Sequence, residues 1–267
     1  MSAAPNTDWL RIANRVLVLG MLLEVMLLVL DYVLNYRLGA AIGPLRRVFN
    51  VTREDSAASW LGNSQTLLAG LTAWWIRRML AARNARHGRG GWRVVWVLFL
   101  YLAVDDGVQL HERLGSAAYY LPESPIPLLQ AFPSYPWQVL FVPVFGVLGL
   151  YVLVFLWRDL GGGALRFMVV AAMGLQGLAI ILDFFEGLAP DDPLNLYRMI
   201  AERLDPAAFE TVRHFGKAGE ETIEMMAITL YWHVFLRRLA ALAADHRDSA
   251  ASAECGPGNA TTVFPNG

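Results

Sequence analysis

Residues Arg93–Gly115 read RVVWVLFLYLAVDDGVQLHERLG, and this stretch decides the class of the fold. Its first half continues an apolar run from Trp92 to Ala103 that is fit to cross a membrane as a helix. Its second half places Asp105, Asp106, His111 and Glu112 in the outer part of the same span. Ionisable groups are expensive there, face a cavity or a partner, and mark a functional site by default.

The rest of the chain is consistent with that reading. Hydrophobic residues make up 56% of the 267 and charged ones 17%, and the apolar residues gather in long runs. That pattern predicts a polytopic membrane protein with short connections. A net charge of -1 leaves no nucleic-acid footprint. Cys255 is the only cysteine, which excludes an intrachain disulfide and a thiolate-rich metal site.

No run alternates with strand period, and helices are the way such segments span lipid. We therefore predict an all-α transmembrane helix bundle of about six spans. They are roughly Ile12–Asn35, Ala58–Ile76, Arg93–Gly115, Trp137–Trp157, Leu165–Glu186 and Lys217–Leu236. The first is too long for a signal-peptide core and is read as a retained span. The basic cluster Arg77-Arg78, Arg83, Arg86, Arg89 and Arg93 sets the orientation as N-in, C-in. Residues 1–243 form one transmembrane domain, and 244–267 turn polar and read as a disordered cytoplasmic tail. Three connections carry information. Leu38–Ser59 reads as an interfacial loop in which Asp55 or Ser56 caps the next helix. Tyr120–Pro136, with five prolines, reads as an extended outer loop. Ala189–Arg213 reads as an amphipathic surface helix.

The case for a site is one of depth. At about 1.5 Å of rise per residue, counted from the inner basic flanks, four spans place polar groups at two matching levels. Glu24, Asp105, Gln176 and Glu224 form the deeper one; Asp31, His111, Glu112, Asp183, Glu186, Glu220 and Glu221 form the shallower one. The inner half has almost none, which predicts a cavity opening outward. Glu24/Asp31, Asp105/Glu112 and Gln176/Asp183 are each seven apart and so share a helical stripe. Glu220 and Glu224 share a face with Lys217, the only lysine, and His214 lies near the mouth. Carboxylates crowded in this way share protons or are balanced by cations. Carboxylates with one or two imidazoles also form the ligand set of Zn, Mn or non-haem iron. An interhelical hydrogen-bond network that only holds the bundle together is the plainer reading.

On these residues the chain resembles an uncharacterised family of bacterial polytopic membrane proteins. The pattern has an acidic stretch before the second span, here Asn50-Val51-Thr52-Arg53-Glu54-Asp55-Ser56 leading to Trp60. It has Asp-Glu, four residues and His-Glu in the third span, here Asp105-Asp106 and His111-Glu112, so Asp106 stands where the family has Glu. It ends with Glu-Glu-x-x-Glu-Met in the last span, here Glu220-Glu221-Thr222-Ile223-Glu224-Met225. The resemblance implies the six-span fold and brings no activity with it. The chain is also loosely similar to seven-helix membrane metal-hydrolases related to alkaline ceramidases, but lacks their His-x-x-x-His pair.

Three functions are open at this point. In the first, a divalent transition metal (Zn, Mn or Fe) is held by some of His111, Glu112, Glu220, Glu221 and Glu224. It activates water against an amphiphilic, lipid-like substrate, with Asp105 or Asp183 as proton acceptor. Glu24, Asp31, Asp106, Gln176, Glu186, His214 and Lys217 support the site. In the second, the two carboxylate levels are relay stations of a proton- or cation-coupled transporter. In the third, the chain is a non-catalytic membrane subunit or sensor whose polar network is structural.

Overall fold

In this computed structural model, residues 7–38, 42–83, 88–120 and 136–254 are described. Among them every regular element is helical. Helix α1 (Thr7–Asp31) runs on into a π-helical segment, Tyr32–Arg37. It is followed by α2 (Gly43–Val48), α3 (Ala57–Ala82), α4 (Arg89–Val108) and α5 (Leu110–Tyr120). Then come α6 (Pro136–Asp159), α7 (Gly163–Glu186), α8 (Leu196–Leu204) and the long α9 (Phe209–Glu254). Helix α9 is the axis of the bundle and packs against α1, α3, α7 and α8, while α3 pairs with α4 and α5 with α6.

Three stretches among the described residues are long and apolar enough to cross a membrane: Asp8–Arg37, Pro136–Asp159 and Gly163–Glu186. Helices α3 and α9 are as long, but they carry inward-facing Gln65 and Thr66, and Glu220, Thr222 and Thr229, which lower their hydropathy. Large apolar side chains instead cover the outside, such as Val18, Leu19 and Leu22 on α1 and Val147 and Leu150 on α6. A surface this apolar needs a non-aqueous neighbour.

The stretch Arg93–Gly115 is not one continuous helix. It breaks at Gln109, whose φ of 53° is left-handed, and α5 leaves α4 at 67°. The break is held by Asp105, whose Oδ1 accepts the backbone N–H of His111 at 2.9 Å. That N–H is one of the orphan donors that open a new helix. Ser56 caps α3 by accepting from the Ser59 N–H at 3.2 Å, as expected. Asn195 caps α8 by accepting from the Arg198 N–H at 3.0 Å, and α8 turns Tyr197 and Ala201 inward. Helix α9 extends to Glu254, past the residue where the sequence turns polar. The proline-rich 121–135 loop and residues 255–267 lie outside the described residues.

The bundle has two chemically different ends. Towards one, Trp92, Phe99, Ile76, Leu156, Leu160, Val169, Val234 and Phe235 pack into the main apolar core. That end is closed by Asp159, which accepts from Trp92 Nε1 (3.1 Å) and Arg238 Nε (2.9 Å), and by Arg83 reaching the Leu242 carbonyl. His233 is buried and hydrogen-bonded through Nδ1 to the Ala13 carbonyl at 2.8 Å. The other end holds the carboxylates.

Candidate functional site

Helix α9 supplies the floor of that end. Glu220, Glu221 and Glu224 lie on one stretch of the helix, and each acts electrostatically on its neighbours. Gln176 on α7 donates to Glu224 Oε1 at 2.9 Å. One helical turn pair further along α7, Asp183 accepts from Gln138 Nε2 of α6 at 2.8 Å. Lys217 stands amid Glu186, Glu221, Glu220 and Glu54 without a carboxylate oxygen within 4 Å among the described residues, so it neutralises the group as a whole. Glu186 is buried and clasped by Arg213, through Nε at 3.1 Å and a terminal nitrogen at 2.7 Å.

The rim comes from two other segments. Asp106 and Glu112 flank the α4–α5 break and stay exposed. Asn63 of α3, with its amide turned so that both ends are satisfied, donates to Asp106 Oδ2 at 2.7 Å and to the Ala103 carbonyl at 3.1 Å. Glu54, from the loop before α3, lies near Gln109 and feels the charges of Glu112, Lys217 and His111. Loss of hydration, then repulsion from Glu112, raises its carboxyl above the ordinary value. Next to it Asp55 is held down at about 2 by hydrogen bonds from Arg53 and Arg47. Adjacent acids in one loop are thus pushed in opposite directions by their partners.

Two histidine–carboxylate pairs stand beside this cluster. Asp105 Oδ2 lies 2.6 Å from His111 Nδ1, which orients the imidazole edge-on to Trp137 and leaves Nε2 for another partner. Asp31 Oδ2 lies 2.8 Å from His214 Nε2, with Asn35 on its other oxygen and Tyr36 against the His214 ring. Glu24 forms a third, enclosed site. Its Oε1 accepts from Gln65 Nε2 (2.8 Å) and Thr229 Oγ1 (2.6 Å), while Oε2 has no hydrogen-bond partner among the described residues.

Of the residues expected to share one chamber, Asp106, Glu112, Gln176, Asp183, Glu186, Lys217, Glu220, Glu221 and Glu224 are brought together. Glu24, Asp31 and His214 are not: they belong to the α1–α9 contact and have their own partners. Asp105 is turned to His111 rather than toward the glutamates. The expected metal set of His111, Glu112, Glu220, Glu221 and Glu224 is not assembled either. Among the described residues no three His, Cys, Asp or Glu side chains converge as metal ligands. The three glutamates lie along one helix, and His111, beyond the break at Gln109, is taken by Asp105.

Glu54, Gln138 and Asn63 were not singled out by depth counting, because Glu54 lies in a loop without helical register, and Gln138 and Asn63 lie on spans that carry no acid. Glu54 does fall in the acidic stretch Arg53-Glu54-Asp55 of the resemblance, so the signal was there.

A profile described as a domain of unknown function, DUF8692, matches residues 11–239 and so covers every element from α1 to the inner part of α9. The chain belongs to the DUF8692 family. No curated protein and no solved structure matches it. The residues of this DUF8692 member that build the carboxylate cluster all lie inside the matched region.

Proposed function

We propose that the chain is a six-span integral protein of a bacterial inner membrane, N-in and C-in, whose carboxylate chamber opens outward and binds a cation. Support for the membrane comes from the three long apolar helices and the apolar outer surface. Support for six crossings comes from the two ends. Ala13, Arg83, Asp159 and Arg238 meet at one, while Asp31, Asp183 and His214 lie at the other, as helices of alternating direction require.

The observation that carries the cation reading is a charge imbalance. Among the described residues, Glu54, Asp106, Glu112, Asp183, Glu186, Glu220, Glu221 and Glu224 share Lys217 and Arg213, with His111 near Glu54 and Asp106. Such a group either keeps some of its protons or ionises in full against a bound cation. Glu220 Oε2 is buried and has no hydrogen-bond partner among the described residues, so a proton or cation bound here would have an accepting oxygen to meet. Exchange of that cation with protons is the basis of a proton- or cation-coupled carrier.

The test is thermal unfolding of the purified protein with protons, Na⁺, Mg²⁺, Mn²⁺, Zn²⁺ and a primary amine as separate titrants. At least one should stabilise it saturably, and the effect should vanish in Glu220→Gln with Glu224→Gln. No saturable effect from any titrant rejects the reading.

The oriented His111 favours a second reading, metal-dependent hydrolysis or redox chemistry on a lipid-like substrate. A carboxylate on Nδ1 is the arrangement that sets up Nε2 as a ligand. Stoichiometric Zn, Mn or Fe lost in His111→Ala would support it; wild-type protein free of transition metal removes it.

A further inference from the structure

Beside the outer end of α1 lies a cleft of about 270 Å³, lined by Asn35, Gly43, Arg46, Arg47, Asn50 and Arg53. Among the described residues no carboxylate lines it. Asp55 sits behind, taking Arg47 at 2.8 Å and Arg53 at 2.7 and 3.3 Å, which fixes two of the three guanidinium groups in place. Arg46 donates from Nε to Asn35 Oδ1 at 3.1 Å, and its terminal nitrogens have no partner among the described residues. Asn50 uses its Oδ1 on the N–H and hydroxyl of Thr52, which leaves its Nδ2 as a further donor. Gly43 leaves the wall open, since a Cβ there would meet nothing within 4 Å. Asp55 is the acid paired with Arg47 and Arg53, while Asp31, behind Asn35, is paired with His214 and Glu210 lies farther off near Tyr36, so the lining itself is cationic.

We propose that this cleft binds a phosphate group, carried either by an anionic phospholipid or by a water-soluble phosphate ester. Planar guanidinium forks match phosphate oxygens two at a time, and amide donors complete the set. The volume is well beyond the ~30 Å³ share of one water, so a phosphate with its ester substituent fits. The surroundings favour a lipid as the source. The cleft follows directly on an apolar stretch long enough to cross a membrane, and Leu38 and Ile42 beside it are 67% and 62% exposed. Apolar side chains next to arginines at the end of such a helix suit the headgroup layer.

The experiment uses the full chain in neutral detergent, with short-chain phosphatidylglycerol and glycerol phosphate as separate probes, read by thermal unfolding and native mass spectrometry. Phosphatidylglycerol should bind saturably, and Arg46→Gln should weaken it about tenfold or more. Arg46→Lys should recover only part, because the charge returns without the fork. Arg203→Gln, on α8 away from the cleft, should bind as wild type. Equal saturation by glycerol phosphate assigns the site to a soluble ester; saturation by the lipid alone assigns it to the headgroup. The proposal is overturned if neither probe saturates, or if Arg46→Gln combined with Arg53→Gln binds as wild type does. Glu220→Gln with Glu224→Gln, which tests the carboxylate chamber, leaves this binding unchanged, so the two readings fail separately.

Discussion

Glu24 shows how one buried carboxyl can be structural within a chain rich in candidate acids. Both of its bonded donors, Gln65 and Thr229, converge on Oε1, and no charged group among the described residues pairs with it. Glu24→Gln keeps the accepting oxygen and should unfold within a few degrees of wild type. Glu24→Leu strands two buried donors and should cost ~1–3 kcal/mol, read as a lowered midpoint in thermal unfolding. Glu54 is different, because its carboxyl sits above the ordinary value, first from lost hydration and then from Glu112. The folded state therefore binds more protons at this site than the unfolded chain does. Its contribution is unpenalised below the unfolded pKa and becomes destabilising as pH rises through the raised folded value. Glu54→Gln removes the penalty. The variant should match wild type near pH ~4 and unfold at a higher temperature than wild type by neutral pH. A gap that is constant with pH would show that Glu54 does not feel the cluster.

Helices α4 and α5 show why an apolar run with acids at its end can be misread as one rod. Nothing in the period of Arg93–Gly115 demands a break, and the turn residue is Gln109 rather than glycine. The device is tertiary: Asp105 replaces a helical carbonyl as acceptor for the His111 N–H and takes its imidazole as well. Asp105→Ala should therefore loosen α5 and cost ~1–3 kcal/mol, whereas Asp105→Asn keeps an accepting oxygen and should cost less. Thermal unfolding of the two variants checks that order. Helix α5 is then pinned by Gly115, where a Cβ would come within 2.6 Å of the Trp137 backbone. Backbone cannot swing aside as a side chain can. Gly115→Ala should cost ~1–3 kcal/mol by overpacking and separate α5 from α6, seen as a lower midpoint and a changed Trp fluorescence.

At the scale of the whole chain, the readable part was the asymmetry. Counting residues from the arginine-rich flanks placed Gln176 level with Glu224, and these two are hydrogen-bonded across α7 and α9. The same count could not give azimuth, so it grouped Glu24 and Asp31 with acids that lie on a different side of α9. Nor could it see Glu54, which reaches the cluster from a loop with no helical register. An apolar core at one end and carboxylates at the other also make orientation a physical claim, because only an outward mouth lets the acids exchange with the exterior without crossing that core. The claim is tested by single-cysteine labelling in a Cys255→Ser background. Thr52→Cys, beside Glu54, should react with a membrane-impermeant maleimide in intact spheroplasts. Arg78→Cys, in the last turns of α3, should react only after lysis. The reverse pattern would turn the chamber inward and undo the argument for exchange with the outside, while equal labelling of both positions would show that α3 does not cross the membrane.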